Sequence, residues 1–199
     1  PELVPLRALY HGVSALITAA STVMAALPSQ VQDDLRQQAV AETMWDLRHR
    51  DILIPLLRDL HSANIEAVLL KGTALAYAVY SSPAERPRGD TDLLVREAQI
   101  PAARAILTRH GFHRASEAEA DKGPQELWTM KQDGHGSHDV DMHWNLLSSW
   151  ALSSLFDTAS VIKDAVDIPR LGSGARMLAP ETALLHACVH RAQHFRGAY

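Results

Sequence analysis

Asp90 and Asp92 lie two residues apart in Asp90-Thr91-Asp92-Leu93-Leu94-Val95, a run that reads as a strand. Side chains two apart on a strand leave the same face, so the two carboxylates project together. Paired carboxylates repel unless a cation sits between them, and hard oxygen donors completed by water and phosphate are what Mg²⁺ takes. A second alternating run, Asp139-Val140-Asp141-Met142-His143-Trp144, puts Asp139, Asp141 and His143 on one face. Paired beside the first strand, it would add a third carboxylate, with Asp139 and Asp141 competing for the place. Three carboxylates can hold two divalent ions, which clamp an in-line phosphoryl displacement. A phosphate cradle precedes them. An apolar run ends at Leu70, Lys71-Gly72-Thr73 follows, and helical composition resumes from Ala74 to Tyr80. A helix start offers free N–H groups and partial positive charge to phosphate. Gly72 admits close backbone approach there, and the Thr73 hydroxyl can add a hydrogen bond. Lys71 reads equally as a phosphate contact or a surface lysine. Arg86 and Arg88, just ahead of Asp90, would either neutralise a triphosphate or pair with a nearby acid.

Other candidates carry weaker chemistry. His143 would contact substrate or the third carboxylate, or sit buried and hydrogen-bonded. Trp144 alternates away from Asp141 and reads as core. His186, His190 and His194 recur every four residues on one helical face, a spacing that can bind metal. No glutamate completes a zinc-protease motif there, so an interface or core is the preferred reading. His135 and His138 fall in a hairpin turn and are expected in solvent. Leu171-Gly172-Ser173-Gly174 lacks the third glycine and following helix of a dinucleotide site. Cys188 is expected to be a small buried hydrophobe.

These residues must be positioned by a chain of 199 residues with 19 basic and 23 acidic side chains, a net charge of −4 and 47% hydrophobic content. That is enough for one generous domain or two small ones. A disordered chain is excluded by the apolar content. A disulfide framework and a cysteine zinc site are excluded by the single cysteine. The acidic balance argues against broad nucleic-acid binding, and no apolar run approaches the roughly 18 residues of a membrane span. No signal peptide is visible, although the chain opens on Pro1 and leaves an upstream segment open; a reducing cytoplasm is the expected compartment. Eleven histidines exceed the usual share.

Residues 3–27 read as helical, ending at Leu27-Pro28. Ser29 and Gln32 form the pattern of a capping box. The helix they open carries Leu35, Ala39, Met44 and Leu47 on one face, and Pro55 is expected to kink or split it before it stops near Asn64. A strand over 65–70, a helix over 74–80, a loop over 81–89 and a strand over 90–95 follow. Next come a helix over 101–110 stopped by Gly111, and a hairpin of 126–131 and 138–144 around Asp133-Gly134-His135-Gly136. Weak strands near Val166 and Arg176 precede a helix from Pro180 to about Phe195. The order predicts an α+β fold, with an α/β mixed sheet in a helical shell. It divides into a helical region over 1–63, a core over 64–170 and a helical segment over 171–199.

Lys71-Gly72, then Arg86-Pro87-Arg88-Gly89-Asp90-Thr91-Asp92-Leu93-Leu94-Val95, then Asp141-Met142-His143-Trp144 resemble the bacterial uncharacterised nucleotidyltransferase family. That family belongs to the polymerase-beta-like nucleotidyltransferase superfamily and reads KG, RPxxDxDLLV and DxHW in that order. The resemblance covers nearly the whole chain. It implies a polymerase-beta-like core and two Mg²⁺ ions, with Mn²⁺ as a substitute. The activity implied is transfer of a nucleoside monophosphate from an NTP, ATP by default, with release of pyrophosphate. On this pattern Gly72 and Thr73 hold the β- and γ-phosphates, with Lys71, Arg86 and Arg88 as further nucleotide contacts. Asp90 and Asp92 bind both metals. Asp141, favoured over Asp139 by its place in DxHW, binds the catalytic metal and helps deprotonate the acceptor hydroxyl. Asp139 and His143 are left as substrate contacts. Thr73 stands where Gly or Ser is usual, and the stretch from Gly72 to Asp90 is long for the superfamily. The family continues into further helix, so the C-terminal segment is expected to be truncated. A small molecule or a protein or peptide hydroxyl is favoured as acceptor. A tRNA end, as in toxin-type tRNA nucleotidyltransferases, would need a local patch from Arg86, Arg88, Arg96, Arg104, Arg109 and Arg114. The alternatives are a non-catalytic nucleotide-binding or assembly module on the same fold and, more weakly, a histidine-metal hydrolase on the last helix.

Overall fold

The computed structural model describes residues 3–115, 123–132, 136–147 and 154–194. Among them the chain forms eight α-helices and one seven-stranded mixed sheet. Short helices α1 (Leu3–His11), α2 (Ser14–Ala19) and α3 (Ser21–Ala25) pack on the first half of α4 (Ser29–Ser62) through Ala8, Met24, Val31 and Leu35. The second half of α4 covers the sheet. Its 34 residues run unbroken through Pro55, so the expected split does not occur. Leu53, Leu56, Leu57 and Leu60, all at most 2% exposed, flank the proline on its buried side. Burying each is worth roughly 1.5–3 kcal/mol, which together outweighs the cost of about 3 kcal/mol for an interior proline. The capping box also differs. Pro28 holds the N-cap position without a side-chain bond, and the Gln32 amide reaches back to the Leu27 carbonyl at 2.9 Å. A further difference matters for the site. Met44 and Leu47 are exposed, whereas Asp46 and His49 continue the buried face between Leu35 and Leu53.

The strands are β1 (Val68–Leu69), β2 (Asp90–Leu94), β3 (His113–Arg114), β4 (Gln125–Gln132), β5 (Gly136–His143), β6 (Val166–Asp167) and β7 (Arg176–Met177). They lie in the order β3-β4-β5-β2-β1-β7-β6. β2 runs parallel to β5 and antiparallel to β1, and β1 runs parallel to β7. The expected hairpin is β4–β5, antiparallel from Gln125↔His143 to Gln132↔Gly136; Asp133, Gly134 and His135 lie outside the described residues. One face of the sheet packs on α4 and α6 (Ile100–Arg109) through Leu93, Val140, Met142, Ile106 and Phe112. The other packs through Val68, Leu70, Leu94 and Leu178 on α7 (Thr158–Lys163) and α8 (Pro180–His194). Gly111, at φ +82°, ends the turn after α6 in the left-handed region where a side chain is strained, as the stop signal implied. His138 is 1% exposed rather than in solvent, and Cys188 is exposed rather than buried. No helix among the described residues is long and apolar enough to cross a membrane.

Candidate active site

The strand alternation delivers what it promised. β2 and β5 are adjacent and parallel, and their register sets Asp90 opposite Asp139 and Asp92 opposite Asp141. Backbone geometry brings the cradle to the same place. The Leu70 N–H donates to the Asp92 carbonyl at 2.9 Å, tying the end of β1 to the middle of β2. Leu70 is extended, Lys71 turns the chain at φ +47°, and α5 (Lys71–Ala78) starts at once. A non-glycine residue in the left-handed region is strained by about 1–2 kcal/mol, and such strain gathers at functional sites. The first-turn N–H groups of α5 therefore open beside the carboxylates.

Asp92 is the hub. It is 4% exposed, and its Oδ1 accepts from Lys71 Nζ at 2.6 Å and from His143 Nε2 at 3.0 Å. Burial alone would raise its pKa, but the His143 hydrogen bond and the Lys71 charge outweigh it and bring the group down to about 2. Asp90 and Asp141 respond in the opposite sense. Asp90 is exposed at the start of β2, yet the protein around it removes enough water to raise its pKa, and the Asp92 charge raises it further. Burial also raises Asp141, with Asp92 and Asp90 adding to the effect against His143 and Lys71. Ligand atoms of Asp92, Asp141 and His143 lie within 4.8 Å of one another. Neither Asp90 nor Asp139 is in that group; Asp139 acts electrostatically on Asp90, and its Oδ1 is buried without a hydrogen-bond partner.

The other named residues fall on both sides of this centre. Thr73 is 1% exposed, and its hydroxyl lies beneath the strand, 3.2 Å from the Asp90 carbonyl and 3.3 Å from Thr91 Oγ1. Only its backbone shares the helix start with Gly72. A Cβ on Gly72 would meet nothing nearer than Arg88 Cβ at 3.4 Å, so the fold alone does not require glycine there. Arg86 is exposed and lines, with Lys71 and Gly72, a cleft of about 820 Å³ between α5 and α8. The cleft is otherwise mostly apolar, walled by Leu75, Val79, Leu184 and Ala187. Arg88 takes its alternative role as partner to a nearby acid. Its guanidinium, 3% exposed, donates to Asp46 Oδ1 at 2.5 Å and lies over the Trp45 and Tyr77 rings. Trp144 packs against the main core. On α8, His186 bonds the Leu146 carbonyl at 3.0 Å, and its ring centroid is 5.9 Å from that of His190; the His194 side chain lies outside the described residues.

Sequence reasoning missed the helix that braces this site. Asp46 on α4 accepts from both Arg88 and, at 2.9 Å, the Tyr77 hydroxyl of α5. His49 Nε2 lies 3.1 Å from Thr91 Oγ1, which continues to Thr73. The signal was present, because Asp46 and His49 share a helical face with Leu35 and Leu53. Three of the surplus histidines are now placed. His49, His138 and His186 are all at most 4% exposed.

Burial, with the Arg88 and His138 charges behind it, lowers the His49 pKa to about 3. The unfolded chain takes up a proton near pH 6.5 that the folded protein refuses. Stability is therefore complete above pH 6.5 and falls between pH 6.5 and pH 3, by about 1.4 kcal/mol per pH unit for this one group. Denaturant unfolding at pH 7.5 and pH 5.0 should differ by at least about 2 kcal/mol. His49→Gln should flatten the dependence without abolishing it, since burial also holds His138 and His186 down.

No curated protein matches the chain. A family model does, over residues 7–198, and its description is an uncharacterised nucleotidyltransferase. The paired Asp-x-Asp strands and the adjoining helix start lie inside that span, and the chain belongs to this nucleotidyltransferase family.

Proposed function

We propose that the protein transfers a nucleoside monophosphate from an NTP to a hydroxyl group of an acceptor, in a Mg²⁺-dependent reaction that releases pyrophosphate. The observation that carries this reading is the close approach of Asp92, Asp141 and His143 beside the first turn of α5, with Asp90 on the same strand face and acting electrostatically on Asp141. The donor set fits a hard divalent ion, since carboxylate oxygens of Asp92 and Asp141 predominate over the one imidazole of His143 and burial raises the Asp141 carboxyl. Asp90, Asp92 and Asp141 would hold the metal ions, with His143 close enough to Asp92 and Asp141 to join them. Bound there, Mg²⁺ supplies charge neutralisation for the triphosphate and lowers the pKa of the attacking hydroxyl.

The chain's own residues account for the rest. The N–H groups of Gly72 and Thr73 hold the β- and γ-phosphates, with Lys71 and Arg86 adding positive charge at the cleft. Gly72 suits close phosphate approach, because no side chain of the fold fills the space its Cβ would take. The acceptor oxygen attacks the α-phosphorus in line, the bridging bond to the β-phosphate breaks, and pyrophosphate leaves on the Gly72 side. The hydroxyl proton passes to Asp141, whose basicity burial and neighbouring carboxylates raise. Thr73 and Arg88 act as positioning residues through Thr91 and Asp46. A small-molecule or peptide acceptor, and ATP as donor, are the preferred partners. Four of the six arginines that could have formed a tRNA patch are engaged by acids: Arg88 by Asp46, Arg96 by Glu66, and Arg104 and Arg114 by the buried Glu126.

The test is incubation with α-labelled NTP, Mg²⁺ and separate small-molecule, peptide and tRNA fractions. Label should enter an acceptor, and chelation should stop it. Asp141→Asn should lower transfer by at least about 100-fold, the scale of removing a general base, and Asp139→Asn by less than tenfold. The reverse ranking would move the third carboxylate to Asp139. Calorimetry showing nucleotide binding indifferent to Mg²⁺, with no labelling, would support a non-catalytic module.

A further inference from the structure

Lys71 has a role that phosphate binding alone does not explain. Its ammonium lies 2.6 Å from Oδ1 of Asp92, the carboxylate at the centre of the candidate metal group, and His143 shares that oxygen. The contact joins the strained turn residue at the head of α5 to the most buried carboxylate of the site. Lys71 also acts electrostatically on all three carboxylates, Asp90, Asp92 and Asp141. Two cations within a few ångström of one buried carboxylate repel each other. A divalent ion on Asp92 is therefore opposed by the ammonium until the side chain leaves. It has somewhere to go. Its side chain is 31% exposed, and Lys71 lines the same cleft as Gly72 and Arg86.

We propose that Lys71 serves two partners in turn: it holds Asp92 while the site is empty, and moves to the phosphates of the nucleotide when a divalent cation takes that carboxylate. Metal loading without nucleotide is then disfavoured, and nucleotide relieves the penalty by giving the displaced ammonium an anion. The coupling is reciprocal, as any linkage between two binding events must be. The inference rests on the nucleotidyl-transfer reading of this site and adds the order in which it fills.

Mn²⁺ binding, followed by calorimetry and by the loss of its free-ion paramagnetic resonance signal, tests it without any acceptor. In the wild-type protein, Mn²⁺ affinity should rise at least about tenfold when an α,β-methylene NTP analogue is added. In Lys71→Met, affinity without nucleotide should already be about tenfold higher, and the gain from the analogue should shrink by a similar factor. Lys71→Gln should behave in the same way, which guards against a folding defect peculiar to one variant. Arg36→Met removes an exposed cation that pairs with Asp33 on α4, and its nucleotide-free Mn²⁺ affinity should stay within about twofold of wild type. The proposal is overturned if neither lysine variant binds Mn²⁺ more tightly than wild type without nucleotide. It is equally overturned if Arg36→Met gains as much as they do. Absence of Mn²⁺ binding in every protein, with or without the analogue, would instead overturn the reading of the site, and the proposal with it.

Discussion

Asp92→Asn should reduce nucleotidyl transfer by at least about 10³-fold, equivalent to some 4 kcal/mol of lost transition-state stabilisation. The substitution keeps the shape of the side chain but removes the charge on which Lys71 and His143 converge. It also removes a negative charge that raises the pKa values of Asp90 and Asp141, so those groups should titrate closer to ordinary carboxylates. Loss of the ion pair and relief of the repulsion oppose each other in stability. Asp92 is buried and its charge is held by Lys71 and His143, so the first effect dominates and the unfolding free energy should fall by about 2 kcal/mol. Labelled transfer and denaturant unfolding, measured on the same preparation, separate the two effects. A variant that folds normally and keeps more than a tenth of the activity would remove Asp92 from the chemistry.

The largest effect on stability should come from a residue outside the carboxylate cluster. Asp46→Ala leaves the Arg88 guanidinium buried between the Trp45 and Tyr77 rings without its carboxylate, and leaves the Tyr77 hydroxyl without its acceptor. Removing one partner of a buried ion pair costs about 3–5 kcal/mol. For a chain of this size that lowers the melting temperature by roughly 6–20 °C. The double variant Asp46→Ala/Arg88→Met should recover much of the loss, because no charge is then left stranded. Additive losses in that cycle would show that the pair is not the source of the stability. Activity should fall in the single variant as well. Arg88 is two residues ahead of Asp90, and Asp46 is what fixes that stretch against α4 and α5.

The chemistry was more legible in the sequence than its supports. Asp-x-Asp on one strand and Asp-x-Asp-x-His on another require only the two-residue period of a strand to be read as facing sets. The helix after Lys71-Gly72-Thr73 and the stop at Gly111 were equally local. Errors arose where a local rule met a tertiary demand. Pro55 breaks an isolated helix, but α4 is kept unbroken through it by the leucines buried against the sheet. Met44 and Leu47 look like core by type. The face of α4 turned to the sheet instead carries Asp46 and His49, because Arg88, Tyr77 and Thr91 await them there. Thr73 looked like a phosphate contact through its hydroxyl, yet that hydroxyl is turned under β2.

By itself, then, the sequence determined the order of elements and which carboxylates share a strand face, with Asp139 and Asp141 still in competition for the third place. Each of those follows from neighbours a few residues apart. Only the tertiary structure decided that β2 and β5 pair in parallel with Asp92 opposite Asp141, that Lys71 and His143 share one oxygen of Asp92, and that Arg88 serves Asp46. These contacts join residues 21 to 51 positions apart. Strand register and the choice of partner for a charge depend on which surfaces the core brings together, and no local period records that.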